Sequence, residues 1–360
     1  MTLLLIISFV IPMILSISFT PLVIRFAKSI GATDKPDPRK IHTTIIPRIG
    51  GLSIFLSIAI SLSLVAWLYP SFTEIFQNHF TQTLVLAGCF LGVFFLGFWD
   101  DIKPLKPGVK FGIQFIIAGV IYFAGFKISN ITNPLGGGLL NVELIDFPLT
   151  LLWIVGITNA FNLIDGLDGL AAGVSIIAVI TLFAVALQEN RLIAPMLAVL
   201  LAGSCSGFLK YNFNPAQVFM GDTGSMFIGY IIAAVSITGA LKSAAAVTIF
   251  VPMLALAVPI LDTTFAIIRR VFNDRPIGEA DHGHIHHRLL AIGMNQKEAV
   301  IAVYIISSFL GATAFIINGI KFDHALIVFI SVILIILYGA KKIGIFSVEL
   351  PKEGCSLEDG

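Results

Sequence analysis

Charge is scarce in this chain. Asp, Glu, Lys and Arg make up 12% of its 360 residues, where a soluble domain carries about 25%. With 57% hydrophobic residues, that shortage excludes an ordinary water-facing surface. Cysteine is also scarce. Cys89, Cys205 and Cys355 are the full set, too few and too scattered for a disulfide framework, and they read as small apolar side chains. A cleavable leader is not evident, because the first basic residue, Arg25, follows the first apolar run. That run is expected to remain as a permanent helix. No internal repeat or low-complexity segment stands out. A net charge of +1 gives no bulk attraction to polyanions, and no nucleic-acid partner is expected.

What the chain has instead is apolar runs long enough to cross about 30 Å of hydrocarbon. Eleven spans are predicted, at about 3–24, 49–69, 83–99, 111–126, 148–163, 169–187, 192–209, 224–240, 244–268, 298–318 and 324–340. The fold class is therefore all-α, a polytopic integral membrane protein. Residues 1–342 read as one transmembrane domain and 343–360 as a short polar tail. With the N-terminus outside, the inner loops and tail hold eighteen of the 22 Lys and Arg residues. Basic residues concentrate on the cytoplasmic side, so the C-terminus is placed there too. The long polar loops 25–48 and 269–297 face the cytoplasm, and the Gly-rich segment around Gly136–Gly138 faces outward.

Against this background the carboxylates carry the information. An ionised carboxylate near a bilayer core is costly and needs a partner or a function. Asp100 and Asp101 close the run Leu84–Trp99, and adjacent like charges repel unless a cation relieves them. Asn159, Asn162, Asp165 and Asp168 recur every third residue, a spacing that would line one helix face. They serve either inter-helix hydrogen bonding or a ligand site. Asp222, in Phe219–Ser225, opens a span and reads either as an N-cap or as a metal ligand. Several carboxylates together suggest a cation. Mg²⁺, with Mn²⁺ as its substitute, fits oxygen donors and commonly carries a phosphate as well.

The segment Asp281–Arg288 holds four histidines. Its spacing matches no ordinary zinc finger, while imidazoles and Arg288 can donate to anionic oxygens. The basic loop Asp34–Gly51, with Arg48, either attracts anionic lipid or closes over a phosphate. Asp262 lies inside the ninth span beside Pro252 and Pro259, and pairs with a lysine, holds a helix break, or serves function. Intramembrane carboxylates also mark ion pathways. Here they cluster towards one side, without repeat symmetry, which disfavours a transporter.

Taken together, Asp34–Gly51, Asp100-Asp101, Asn159–Gly169, Phe219–Ser225 and His284–Arg288 resemble the motifs of the polyprenyl-phosphate N-acetylhexosamine-1-phosphate transferases, in that family's order and over nearly the whole chain. The His284-Ile-His-His-Arg288 segment is similar to the branch that uses UDP-GlcNAc. The resemblance implies transfer of GlcNAc-1-phosphate from UDP-GlcNAc to undecaprenyl phosphate, with release of UMP, at the cytoplasmic face of a bacterial inner membrane. It implies Asp222 and Asp165 as Mg²⁺ ligands. Asp100, Asp101, Asp165 and Asp168 are the expected catalytic set. Arg48, Lys110, Asn159, Asn162, His284, His286, His287 and Arg288 are expected to bind substrate. A homodimer is left open.

Overall fold

The computed structural model describes residues 2–36, 44–69, 80–133, 139–188, 193–239, 250–274, 283–342 and 344. Part of the basic loop (37–43), the segment Gly136–Gly138, Asp281 and the expected tail apart from Gly344 lie outside the described residues. Among the described residues there are thirteen helices and two small antiparallel ladders. In chain order they are α1 Thr2–Ser29, β1 Thr33–Asp34, β2 Ile46–Pro47, α2 Gly51–Leu68, α3 Phe80–Ile102, α4 Pro107–Phe123, β3 Asn130–Thr132, β4 Leu139–Asn141 and α5 Asp146–Ile164. Then come α6 Leu170–Gln188, α7 Ile193–Asn212, α8 Gly221–Gly239, α9 Phe250–Ala255, α10 Ala257–Phe272, α11 Ile285–Ala291, α12 Gln296–Asn318 and α13 Phe322–Lys342.

Eight of these helices are long and apolar enough to cross a membrane: α1, α2, α3, α5, α6, α7, α12 and α13. This is an all-α, multi-pass membrane protein. Each predicted span is helical over most of its described part, and 250–268 divides into α9 and α10 at Leu256. Proline explains the break. Pro259 has no N–H to return to the preceding turn, and its ring crowds that turn.

The centre of the bundle is α8. Every residue from Thr223 to Ile237 is buried, as expected for a helix that is apolar on all sides. It packs against α2, α3, α5, α6 and α7. Phe227 meets Phe55 of α2 and Phe90 and Phe94 of α3 edge-on, with centroids 5.5, 6.2 and 6.4 Å away. Such aromatic pairs contribute about 0.5–1.5 kcal/mol each beyond area burial. A rigid core helix thus presents its N-terminal turn, with Asp222, at one end of the bundle.

Backbone bonds fix what surrounds that turn. β1 pairs with β2, Thr33 opposite Pro47 and Asp34 opposite Ile46. The chain then runs alongside the entry to α8: Phe219 N donates to Pro47 O (2.8 Å), and Gly50 N and Gly51 N donate to Phe219 O and Met220 O (both 2.9 Å). Arg48 and Asp222, far apart in sequence, are held together by this strand-like seam.

Candidate active site

Gly221 has φ +71°, and a Cβ there would collide with the Arg48 carbonyl and the Asp101 carboxylate. The bare backbone lets Asp101 close over the end of α8. Asp101 Oδ1 accepts from Asp222 N (3.0 Å), and Oδ2 accepts from Thr223 N (2.8 Å) and Thr223 Oγ1 (2.6 Å). Arg48 donates to Oδ1 from Nη2 (3.1 Å) and Nε (3.3 Å). The Asp101 side chain is wholly buried. It caps the N-terminus of another helix and satisfies donors that would otherwise lack partners. The cap of α8 therefore comes from α3, not from Asp222.

Asp100 points elsewhere. Its Oδ1 accepts from Leu105 N (2.6 Å) and its Oδ2 from Lys110 Nζ (2.8 Å). Lys110 also pairs with Asp222 Oδ2, and Asp222 Oδ1 accepts from Asn162 Nδ2 (2.9 Å). Asn162 further bonds Ser225 Oγ (2.9 Å). Asp100, Lys110, Asp222 and Asn162 form one chain of charge-assisted contacts across α3, α4, α8 and α5.

Beside this chain opens a cavity of about 630 Å³. Its walls include Asp34, Arg48, Asn162, Asp165, Asp168, Phe219, Asp222 and His287. The expected four-residue stripe is not a single helix face. α5 ends at Ile164, so Asp165 and Asp168 belong to the turn that follows. The four side chains diverge. Asn159 donates to Gln114 Oε1 on α4 (2.5 Å) and to Val155 O (2.7 Å), away from the cavity. Asn162 reaches Asp222. Asp168 Oδ2 accepts from Asn214 Nδ2 (3.1 Å) and Ala216 N (2.9 Å), which fixes the chain after α7. Asp165 has no hydrogen-bond or ion-pair partner among the described residues. Burial, then the charges of Asp222, Asp101 and Asp168, pushes the Asp165 carboxyl up to about 8.

An unpartnered carboxylate lining a cavity that Asp222 also lines is a donor set that fits a hard cation. Among the described residues no three His, Cys, Asp or Glu side chains converge on one point. Two carboxylates nonetheless suit Mg²⁺, which usually completes its shell with water and substrate phosphate.

The histidine segment forms the short helix α11. Among the described residues of the segment, only His287 reaches the cavity wall. His286 is buried against Gly166, where a Cβ would collide with its ring. Burial, with the neighbouring His287, pushes His286 down to about 3, so it is neutral. His284 is buried and bonded to Asp262. Arg288, wholly buried, donates from Nε to Gly283 O (3.3 Å). His284, His286 and Arg288 thus build the helix that carries His287.

The cavity takes Asp34 and Thr44 from the basic loop Asp34–Gly51 that the sequence pointed to, and also recruits Asn212, Asn214 and Gln296, which sequence reasoning did not single out. Asn212 and Asn214 stand in a polar cluster, Tyr211–Pro215, just after a span. That position was the available signal. For Gln296, in the first turn of α12, the sequence offers none.

A carboxylate-lined cavity closing one end of an apolar helix bundle marks an integral-membrane enzyme. Residues 83–240 match Glycosyl transferase family 4. The chain is 41% identical over 314 residues, 87% of its own length and 85% of the relative's, to a Bacillus subtilis (strain 168) protein named probable undecaprenyl-phosphate N-acetylglucosaminyl 1-phosphate transferase. It is 36% identical over 302 residues, 78% of its length and 74% of the relative's, to the decaprenyl-phosphate N-acetylglucosaminephosphotransferase of Mycobacterium tuberculosis (strain ATCC 25618 / H37Rv). A phospho-N-acetylmuramoyl-pentapeptide-transferase of Clostridioides difficile (strain 630) is 33% identical over 247 residues, 64% of this chain and 72% of that one. The chain belongs to glycosyl transferase family 4, as an enzyme of the polyprenyl-phosphate N-acetylhexosamine-1-phosphate transferase class.

Proposed function

We propose that this protein transfers N-acetylglucosamine-1-phosphate from UDP-GlcNAc to undecaprenyl phosphate at the cytoplasmic face of a bacterial inner membrane. The observation that carries this is the single cavity joining Arg48, Asn162, Asp165, Asp222 and His287, in a chain with 41% identity to the Bacillus subtilis relative. A lipid phosphate oxygen attacks the β-phosphorus of the donor. The bond from that phosphorus to the bridging oxygen breaks, and UMP leaves. Such transfers ask mostly for positioning and charge stabilisation.

Arg48 and His287 face the cavity and hold the donor's anionic oxygens. Lys110 stands between Asp100 and Asp222 and offers its charge to the incoming lipid phosphate, which Asp100 orients. Asp101 acts through the backbone, fixing the α8 turn. Asp165 and Asp222 would hold Mg²⁺, which when bound neutralises pyrophosphate charge.

The test uses purified protein in detergent with undecaprenyl phosphate, Mg²⁺ and UDP-GlcNAc labelled on the sugar. Label entering the lipid with UMP release, blocked by EDTA, supports the proposal. Transfer only from another UDP-N-acetylhexosamine, or from UDP-MurNAc-pentapeptide, keeps the chemistry and changes the donor. No transfer from any UDP-sugar refutes it.

A further inference from the structure

Asp262 lies in α10, 3% exposed, and touches neither the cavity nor the α8 turn. Both of its oxygens are engaged by the histidine segment. Oδ1 accepts from Ile285 N (2.7 Å), the first residue of α11, and Oδ2 lies 2.8 Å from His284 Nδ1. α11 has seven residues and no cap from its own N-cap side chain. An isolated helix of that length is unstable in water, so its geometry is imposed from outside. One stripe of α10 does this. Asp262 grips His284 and Ile285. Phe265, with Leu261 and Ala340, packs Ile285. The Arg269 guanidinium lies where a Cβ on Gly283 would go.

From His284 the arrangement runs towards the cavity. Its ring lies parallel to that of His286, centroids 5.7 Å apart, and His286 lies 4.2 Å from His287. Of these three rings, His287 alone lines the cavity. We propose that Asp262 is a positioning residue: it fixes the ring and tautomer of His284 and so sets where α11 presents His287 to the donor. A carboxylate facing Nδ1 holds the proton there and leaves Nε2 as acceptor, because the partner of one ring nitrogen sets the state of the other. An aspartate inside a predicted span thereby acquires a role without touching substrate. The inference rests on the proposed function, since the readout is donor use.

Asp262→Asn isolates the effect. Its oxygen still accepts from Ile285, but its amide turns an N–H towards His284 Nδ1 and forces the ring proton onto Nε2. Asp262→Asn, His284→Ala and the double variant are compared for kcat and for the KM of each substrate, per folded protein, with melting curves alongside. Each single variant is expected to lower kcat/KM for UDP-GlcNAc about tenfold or more. The loss should lie mainly in the donor's KM, and the KM for undecaprenyl phosphate should stay within twofold. The double variant should be no worse than the poorer single by more than twofold, because residues acting as one unit are not additive. Losses that multiply, a loss equal for both substrates, or an Asp262→Asn enzyme within twofold of wild type each overturn the role. Should Asp262→Asn fail to fold, a folded His284→Ala with wild-type donor KM overturns it as well, and a raised donor KM supports it. A wild type that transfers nothing overturns both this role and the proposed function, whereas an active wild type with a silent Asp262→Asn removes only this one.

Discussion

Replacing Asp101 by Asn should lower the stability of the fold more than it disables chemistry, and replacing Asp100 should do the reverse. Asp101 accepts from two backbone N–H groups, one hydroxyl and Arg48. Asn can keep one oxygen in place, but its NH₂ must then face donors. If the oxygen stays on Thr223, the N–H of Asp222 is left buried and unpaired, at about 1–3 kcal/mol. Losing the negative charge at the end of α8 adds about 0.3–1 kcal/mol. Arg48 is one-third exposed and finds water, so its lost pair adds little. The total is about 1–4 kcal/mol, a fall of roughly 2–5 °C in the melting midpoint for a protein of this size. Asp100→Asn retains the bond from Leu105 and leaves Lys110 its pair with Asp222, so it should cost about 1 kcal/mol or less. The assay is a thermal melt in detergent beside the transfer rate per folded molecule. Asp101→Asn melts early, while Asp100→Asn melts normally and loses about a hundredfold in rate. An Asp101→Asn protein with a wild-type midpoint and no turnover would refute the division, and so would early melting of Asp100→Asn.

Asp222→Asn should abolish measurable turnover with little change in melting, because the side chain is partly exposed and keeps Asn162 as a neighbour; activity at ordinary Mg²⁺ removes it as a metal ligand. The Asp165 carboxyl holds its proton up to about pH 8 when folded, against an ordinary value of 3.8. Between those values the folded state binds the extra proton, so stability in EDTA should fall as pH rises from about 4 to about 8. Asp165→Asn should flatten that fall, and an unchanged slope refutes the assignment. His287→Ala should raise the donor's KM about tenfold with little change in melting; equal KM values would remove His287 from recognition. Gly166→Ala drives a methyl into the His286 ring and should cost about 1–3 kcal/mol through overpacking, read as a lowered melting midpoint.

The helices were legible because burial in lipid leaves few ways to satisfy a backbone, so each long apolar run became a helix. The gathering of Asp165, Asp168 and Asp222 was legible for a similar reason: carboxylates in so apolar a chain need shared company. What the spacing misled on is the stripe from Asn159 to Asp168. A three-residue recurrence implies a continuous helix, but α5 stops at Ile164 and the turn sends four side chains to four places. Adjacency also misled at Asp100 and Asp101. Successive residues on a helix point about 100° apart, so one faces Lys110 and the other the end of α8. No local pattern reveals which is which. The answer lies in Gly221, more than a hundred residues away, whose missing Cβ admits Asp101.

The same geometry explains why the histidine segment needs so many polar residues to present one. A loop that must place a single imidazole against an anionic ligand has to be rigid, yet a seven-residue helix cannot stiffen itself. The structure supplies the stiffness from three sides: Asp262 of α10 beneath His284, Gly166 of the cavity turn against His286, and the Gly283 carbonyl accepting from Arg288. Burial keeps His286 uncharged, so it packs as a neutral spacer between the anchored ring and the half-buried one on the cavity wall. Among the described residues of the segment, His287 is then the one position where a change of side chain alters the cavity wall directly. If Asp262 positions the segment as proposed, changes at His284, His286 or Arg288 act by moving it.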